Sequence, residues 1–174
     1  MTSAQNSIRL FFALWPDETV RKSLAKINAK LADNYMGKPM CPDNLHITLA
    51  FIGNVAEDSL ECLLPMAASL KFKPFTLNLD YLGYFPEPRV IWAGQKQIPD
   101  ALMTLVTELY NGVQLCGLKL DRRLFIPHLT LMRNIKSFNQ ISIKPVYWPV
   151  TNFCLIKSIN TPEGVEYSVL QRWK

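Results

Sequence analysis

His46-Ile47-Thr48-Leu49 and His128-Leu129-Thr130-Leu131 are two copies of one pattern, and they contain both histidines of the 174-residue chain. The two copies lie 82 positions apart. The same offset carries the apolar run that begins at Ile8 onto the run that begins at Val90, and it carries the first helical pattern onto the second. A repeat that holds over a strand, a helix and a second strand predicts two similar lobes related by a pseudo-twofold axis.

Apolar periodicity around the two copies predicts a mixture of helices and strands. Val20, Leu24, Ile27 and Leu31 form a helical stripe that begins after a capping residue, Asp17. We predict further helices over residues 57–70 and 100–113, and strands over residues 8–14, 45–52, 75–82, 90–93, 125–132, 151–159 and 165–170. Because no linker of low complexity interrupts these elements, we predict a single domain spanning residues 1–174.

Composition excludes several classes of protein. Hydrophobic residues make up 49% of the chain and charged residues 19%, which is enough apolar material for a core and too much for a disordered chain. No apolar run approaches the roughly 20 residues of a membrane span. The polar start, residues 1–7, has no signal core, so we expect a cytoplasmic protein without a membrane partner.

Charge and cysteine usage add two weaker expectations. The formal net charge of +5 favours an anionic partner such as a nucleotide or RNA. The four cysteines, at positions 41, 62, 116 and 154, are widely spaced and form no Cys-x-x-Cys pair. Reduced, buried thiols are therefore a better interpretation than disulfides or a zinc site.

The repeated pattern places chemistry on one face of each strand. Residues i and i+2 of a strand point to the same side, so His46 projects with Thr48 and His128 projects with Thr130. Two imidazoles that face one cleft suit proton transfer at both ends of a displacement, because the unperturbed pKa of histidine is about 6.5. The threonine hydroxyls can donate to phosphate oxygens, and Arg133 can add positive charge. This is phosphoryl chemistry without a metal or another cofactor.

Two other interpretations of the histidines are weaker. A single histidine in an apolar strand is usually structural, but two at equivalent positions of a repeat, each followed by threonine, favour a site. A zinc centre would lack ligands, because neither motif contains a carboxylate or a cysteine.

The chain resembles the 2H phosphoesterase superfamily, and more closely the bacterial RNA 2′,3′-cyclic phosphodiesterases, also known as LigT or 2′–5′ RNA ligases. The resemblance covers nearly the whole chain. It rests on four stretches in the family's order: Arg9-Leu10-Phe11-Phe12-Ala13, residues 43–53 around His46, Arg89-Val90-Ile91-Trp92-Ala93-Gly94, and residues 127–133 around His128. The family often has arginine where this chain has Ala50, so no role is assigned to that position.

The resemblance implies an α+β, bilobal fold in which antiparallel sheets flank a central cleft and helices lie outside. It also implies hydrolysis of a ribose 2′,3′-cyclic phosphate to a 2′-phosphomonoester. His46 would be the general acid for the departing O3′ and His128 the general base for water. Thr48 and Thr130 would hold the phosphate with help from Arg133.

Phe51 resembles the family's aromatic residue that packs on the terminal base. Strand alternation, however, places Phe51 opposite His46 and Arg133 opposite His128. Arg133 reaches the cleft only if a bulge or the strand end turns it there, and Phe51 is otherwise a core residue.

Two alternatives to this enzyme stay open. One is a non-catalytic module that binds a nucleotide or RNA, which the intact motifs argue against. The other is the reverse reaction, RNA joining through a 2′–5′ bond, which uses the same groups and is minor in water. We expect a monomer whose substrate is RNA with a 2′,3′-cyclic phosphate end or a small cyclic nucleotide.

Overall fold

The structure, a computed structural model, describes residues 7–120, 124–162 and 164–174. Most of the polar N-terminal stretch considered above, residues 1–6, lies outside the described residues. Three α-helices are present within the described ranges: α1 (Glu18–Asn34), α2 (Leu60–Ala68) and α3 (Asp100–Leu115). None of them, within these ranges, has the length and apolar character needed to cross a bilayer.

Ten strands accompany these helices in the described part of the chain. They are β1 (Ser7–Leu14), β2 (Lys38–Pro39), β3 (Ile47–Ala56), β4 (Phe75–Leu79), β5 (Tyr81–Phe85), β6 (Val90–Gly94), β7 (Leu129–Arg133), β8 (Val146–Val150), β9 (Phe153–Thr161) and β10 (Gly164–Trp173). The main sheet has the order β10-β9-β1-β3-β7-β6-β5, and β2 pairs with β7. A second, two-stranded sheet consists of β4 and β8. All pairs are antiparallel.

The predicted repeat appears in this topology. Strands β3 and β7 meet at the pair Ile47 and Leu129, which are equivalent positions of the two halves. On either side, β1 flanks β3 as β6 flanks β7, and α1 and α3 occupy equivalent places in the chain. The prediction of an α+β fold with two related antiparallel halves is confirmed.

Helix α1 forms where capping and periodicity both favour it. The Val20 amide donates to Asp17 Oδ1 at 2.9 Å, so the predicted cap satisfies one of the free amides at the helix start. The predicted stripe of Val20, Leu24, Ile27 and Leu31 is buried against the sheet. One face of the sheet is thereby covered, and its other face is left for the cleft.

The predicted strand over residues 75–82 is wrong in one respect, because it is two strands. Asp80 separates β4 from β5, and these strands belong to different sheets. The Asp80 amide donates to the Gly94 carbonyl at 3.1 Å, while the Asp80 side chain accepts from the Lys96 amide at 3.1 Å. Beyond this break the burial alternation changes, because Tyr81 is exposed and Leu82 is buried. In the sequence Tyr81 continues the apolar alternation, so the pattern did not reveal the break.

The expectation of reduced cysteines is also wrong for one pair. Cys62 of α2 and Cys116, the residue after α3, form a disulfide. Their separation of 54 residues carries no spacing signal, and only the packing of α2 on α3 brings them together. Cys154 is a buried free thiol and Cys41 an exposed one.

Candidate active site

The four motif residues line one cleft of about 820 Å³. His46 and His128 each precede a strand, β3 and β7, and Thr48 and Thr130 are the second residues of those strands. The alternating apolar residues of the two motifs are fully buried on the opposite side: Ile47, Leu49, Leu129 and Leu131. Because β3 and β7 meet at the pseudo-twofold axis, each lobe contributes one imidazole and one hydroxyl to the same space.

The two imidazoles are held in the same way. His46 Nδ1 lies 2.7 Å from the Asn44 carbonyl, and His128 Nδ1 lies 2.7 Å from the Ile126 carbonyl. A carbonyl oxygen only accepts, so Nδ1 carries the hydrogen in each ring. Nε2 of each ring is therefore the nitrogen left for proton transfer.

Aromatic rings surround both histidines. Trp15 stacks on His46 with ring centroids 5.3 Å apart and an interplanar angle of 8°. Phe11 and Tyr167 pack on the same imidazole at 5.0 and 5.2 Å. On the other side of the cleft, the rings that pack on His128 are Phe85, at 5.1 Å, and Trp92, at 6.0 Å.

This environment opposes charge on the imidazoles. Burial lowers the pKa of His46 to about 4, and the positive charges of His128 and Arg133 contribute in the same direction. Burial, followed by the charge of Arg133, also lowers the pKa of His128. In both cases the carbonyl that holds Nδ1 opposes the shift. Both shifts favour the neutral imidazole in the free protein.

Two β-bulges bring Phe51 and Arg133 to the cleft. On β3, Thr48 pairs with Ala13 and Ala50 with Phe12, which leaves Leu49 as an extra residue. The alternation is thereby inverted, and Phe51 is 42% exposed and lines the cleft. The equivalent irregularity on β7 lies between the pairs Thr130–Trp92 and Met132–Ile91, and it turns Arg133 into the cleft.

The bulges resolve the two positions that simple alternation left open. Phe51 and Arg133 are separated by the repeat offset and occupy equivalent places beyond equivalent bulges. Arg133 Nε donates to the sulfur of Met40 at 3.3 Å, which orients the guanidinium. All six residues predicted for the site therefore meet in one cleft, while their individual roles stay predictions.

Sequence reasoning missed several residues of the cleft. Arg9 and Lys38 add positive charge to it, and Trp15 and Tyr167 shape the surroundings of His46. Among the residues that the structure describes, no ion pair engages Arg9, Lys38 or Arg133. Alternation along β1 predicts that Arg9 and Phe11 share one face of the sheet. The positions of β9 next to β1 and of β10 next to β9 depend on the long-range strand order, which local alternation does not predict.

The acidic, cysteine and histidine side chains are dispersed. Across residues 7–120, 124–162 and 164–174, no three of these side chains come together in an arrangement that could hold a metal ion. Thr48 and Thr130 offer hydroxyls and Arg133 a guanidinium, which are groups that suit phosphate oxygens rather than a cation.

Comparison with known proteins agrees with this geometry. A family profile described as LigT-like phosphoesterase matches residues 14–92. The RNA 2′,3′-cyclic phosphodiesterase of Escherichia coli is 33% identical over 95% of both chains, and that of Archaeoglobus fulgidus is 30% identical over 94% of this chain and 98% of its own. The crystal structure of E. coli LigT complexed with 3′-AMP superposes with a TM-score of 0.87 at 32% identity, covering 97% of this chain and 98% of that one. The chain belongs to the LigT-like phosphoesterase family.

Proposed function

We propose that this protein hydrolyses the 2′,3′-cyclic phosphate end of RNA to a 2′-phosphomonoester and needs no metal ion. One observation carries the proposal: each lobe presents an imidazole to the cleft, and each imidazole is held in the same tautomer by its own backbone carbonyl. Related proteins over nearly the full chain are named RNA 2′,3′-cyclic phosphodiesterase, which supports the same activity here.

In the proposed reaction the two histidines act at opposite ends of one displacement. His128 Nε2 takes a proton from water as the water oxygen bonds to phosphorus. The bond from phosphorus to O3′ breaks, and His46 Nε2 gives its proton to O3′. The ribose keeps the phosphate on O2′, so charge and protons balance over the step.

The lowered pKa values set a condition on this mechanism. His46 must carry a proton when O3′ departs, yet its pKa in the free protein is about 4. A bound phosphodiester anion raises the pKa of a neighbouring imidazole, because it stabilises the charged form. We infer that substrate binding protonates His46 and that the free protein is mostly uncharged at this position.

The remaining predicted residues bind the substrate. The hydroxyls of Thr48 and Thr130 donate to the two non-bridging oxygens, and Arg133 stabilises charge that develops on them. Phe51, exposed beside the motif strands, stacks on the terminal base. The complex of E. coli LigT with 3′-AMP supports a nucleotide as the ligand.

At the level of the molecule, we propose that residues 1–174 act as one domain and as a monomer in the cytoplasm. The continuous sheet through β3 and β7 supports a single unit, since residues on both sides of that junction line the cleft. RNA joining is the minor reverse reaction, because water at high concentration favours hydrolysis.

Hydrolysis of adenosine 2′,3′-cyclic phosphate in excess EDTA tests the proposal. We expect full activity and 2′-AMP as the product, identified by ³¹P NMR. His46→Ala and His128→Ala should each lower turnover by at least about 100-fold. Tight binding without turnover would instead support a non-catalytic module, and activity that requires a divalent ion would contradict the metal-free mechanism.

A further inference from the structure

The cleft continues past the two motifs onto strands β1, β9 and β10. Arg9, Ser158 and Tyr167 form one row across these strands, because Arg9 pairs with Ser158 and Ser158 pairs with Tyr167. All three line the cleft, together with Asn160, which lies two residues after Ser158 on β9 and nearer the hairpin tip. Glu166, the residue before Tyr167, also lines it and adds one carboxylate to this arm of the cleft.

This arm of the cleft is tied directly to the reaction centre. The Asn44 side chain donates to the Val165 carbonyl of β10 at 3.1 Å, and the Asn44 carbonyl holds His46 Nδ1. The Tyr167 ring packs edge-on against His46. A ligand at the histidines therefore has the β9–β10 hairpin as its immediate neighbour.

Arg9 supplies a second positive charge to this arm of the cleft. Arg133 contributes to the lowered pKa values of both histidines, whereas burial raises the pKa of Tyr167 and the charges of Arg133 and Arg9 both oppose that rise. The Arg9 guanidinium lies over the Phe51 ring, 4.9 Å from its centroid. It is thus positioned beside the site proposed for the terminal base, and no carboxylate of the described residues pairs with it.

We propose that Arg9 binds the phosphodiester on the 5′ side of the terminal nucleotide, and that Ser158, Asn160 and Tyr167 receive the preceding nucleotide. This inference rests on the proposed function and specifies its substrate as an RNA strand rather than a mononucleotide. A cation, an aromatic ring and neutral polar side chains along one groove are the combination that binds single-stranded nucleic acid.

Three substrates distinguish the contribution of Arg9 from that of the residues proposed to bind the preceding nucleotide. They are adenosine 2′,3′-cyclic phosphate, the same nucleotide with a 5′-phosphate, and the dinucleotide ApA with a 2′,3′-cyclic phosphate end. We expect the 5′-phosphate to raise kcat/KM about tenfold in the wild type, the effect of one charge-assisted contact. Arg9→Met should bring this ratio close to one, and Arg9→Lys should retain part of it. Asn160→Ala should lower only the further gain from the added nucleoside.

Lys157→Met is the matched control, because Lys157 lies next to Ser158 but pairs with the buried Leu10 and points to the other face of the sheet. It should keep the wild-type ratio. The dependence of kcat/KM on salt should be steeper for the 5′-phosphorylated substrate, and Arg9→Met should remove about one unit of the slope.

Equal kcat/KM values for the first two substrates in the wild type would overturn the subsite, as would an unchanged ratio in a folded Arg9→Met protein. Both results leave hydrolysis of the mononucleotide intact and so leave the proposed function standing. Failure of the wild type to hydrolyse any of the three substrates would refute the proposed function itself.

Discussion

His46 and His128 occupy equivalent backbone positions, but different side chains surround them. Each donates Nδ1–H to the carbonyl two residues before it. His46, however, is stacked on Trp15 and packed by Phe11 and Tyr167, and its pKa falls to about 4. Two similar imidazoles in different environments are the usual basis for separate acid and base roles.

The acid role of His46 can be tested through the leaving group. A substrate with sulfur in place of O3′ releases a thiolate, which departs without protonation because thiols are far more acidic than alcohols. We expect His46→Ala to hydrolyse this substrate at nearly the wild-type rate while His128→Ala stays impaired. The measurement is kcat on the oxygen and sulfur substrates for both variants, and rescue of His128→Ala alone would reverse the two roles.

The hydroxyls of Thr48 and Thr130 allow a conservative test. Valine keeps the shape of threonine and removes the donor, so Thr48→Val and Thr130→Val should each weaken transition-state stabilisation by about 2–4 kcal/mol at most. The midpoint of urea unfolding should change little, since both side chains line an open cleft. A wild-type kcat/KM in either variant would mean that its hydroxyl does not contact the reacting phosphate.

At the scale of elements, two bulges decide the composition of the site. A regular strand would place Phe51 and Arg133 in the core, on the side of Leu49 and Leu131. The extra residue Leu49 in β3 and the extra residue Leu131 at the equivalent point of β7 invert the alternation at Phe51 and Arg133. The same kind of bulge occurs in both lobes, and it adds to the cleft an aromatic ring from one lobe and a guanidinium from the other.

The disulfide that joins α2 to the end of α3 lies outside the cleft, so we expect it to stabilise the fold without affecting catalysis. Cys62 and Cys116 enclose a loop of more than 50 residues, for which chain entropy gives about 4 kcal/mol of stabilisation. We expect the Cys62→Ala/Cys116→Ala protein to unfold at lower urea concentration by about this free energy while kcat is retained. Cys41→Ser, which removes an exposed free thiol, is the control. Equal stability of the double variant and the wild type would show that the bond does not form in solution.

At the scale of the molecule, the cleft couples the two lobes electrostatically. Each histidine comes from a different half of the sheet, yet the charge of His128 lowers the pKa of His46, and Arg133 lowers the pKa of both. The protonation of His46 therefore depends on the charge state of His128. In the proposed mechanism the pair is active when one ring is protonated and the other neutral.

This coupling predicts an acidic pH dependence. Because both pKa values are lowered, kcat/KM of the free enzyme should follow a bell centred below pH 6.5. Arg133→Gln removes a nearby positive charge, so both imidazole pKa values should rise and the bell should move to higher pH. Only two histidines are present, so ¹H–¹³C NMR of the imidazoles follows each titration directly. Unshifted titrations in Arg133→Gln would place the guanidinium outside the site.

Patterns along the chain were sufficient to predict the repeat, the α+β class and the four motif residues of the cleft. These features depend on local periodicity and on a tetrapeptide that recurs at a constant offset, and both can be counted along the chain. The helix cap at Asp17 and the buried stripe from Val20 to Leu31 were predictable for the same reason. Strand alternation correctly placed His46 with Thr48 and His128 with Thr130.

The surroundings of those residues depend on long-range contacts that no local pattern predicts. The bulges before Phe51 and Arg133 depend on pairing with β1 and β6, and alternation along one strand does not contain that information. Arg9 and Tyr167 line the same cleft because β9 pairs with both of their strands, and Cys62 meets Cys116 because α2 packs on α3. Long-range contacts of this kind arise from the packing of the whole core, so no short stretch of the sequence specifies them.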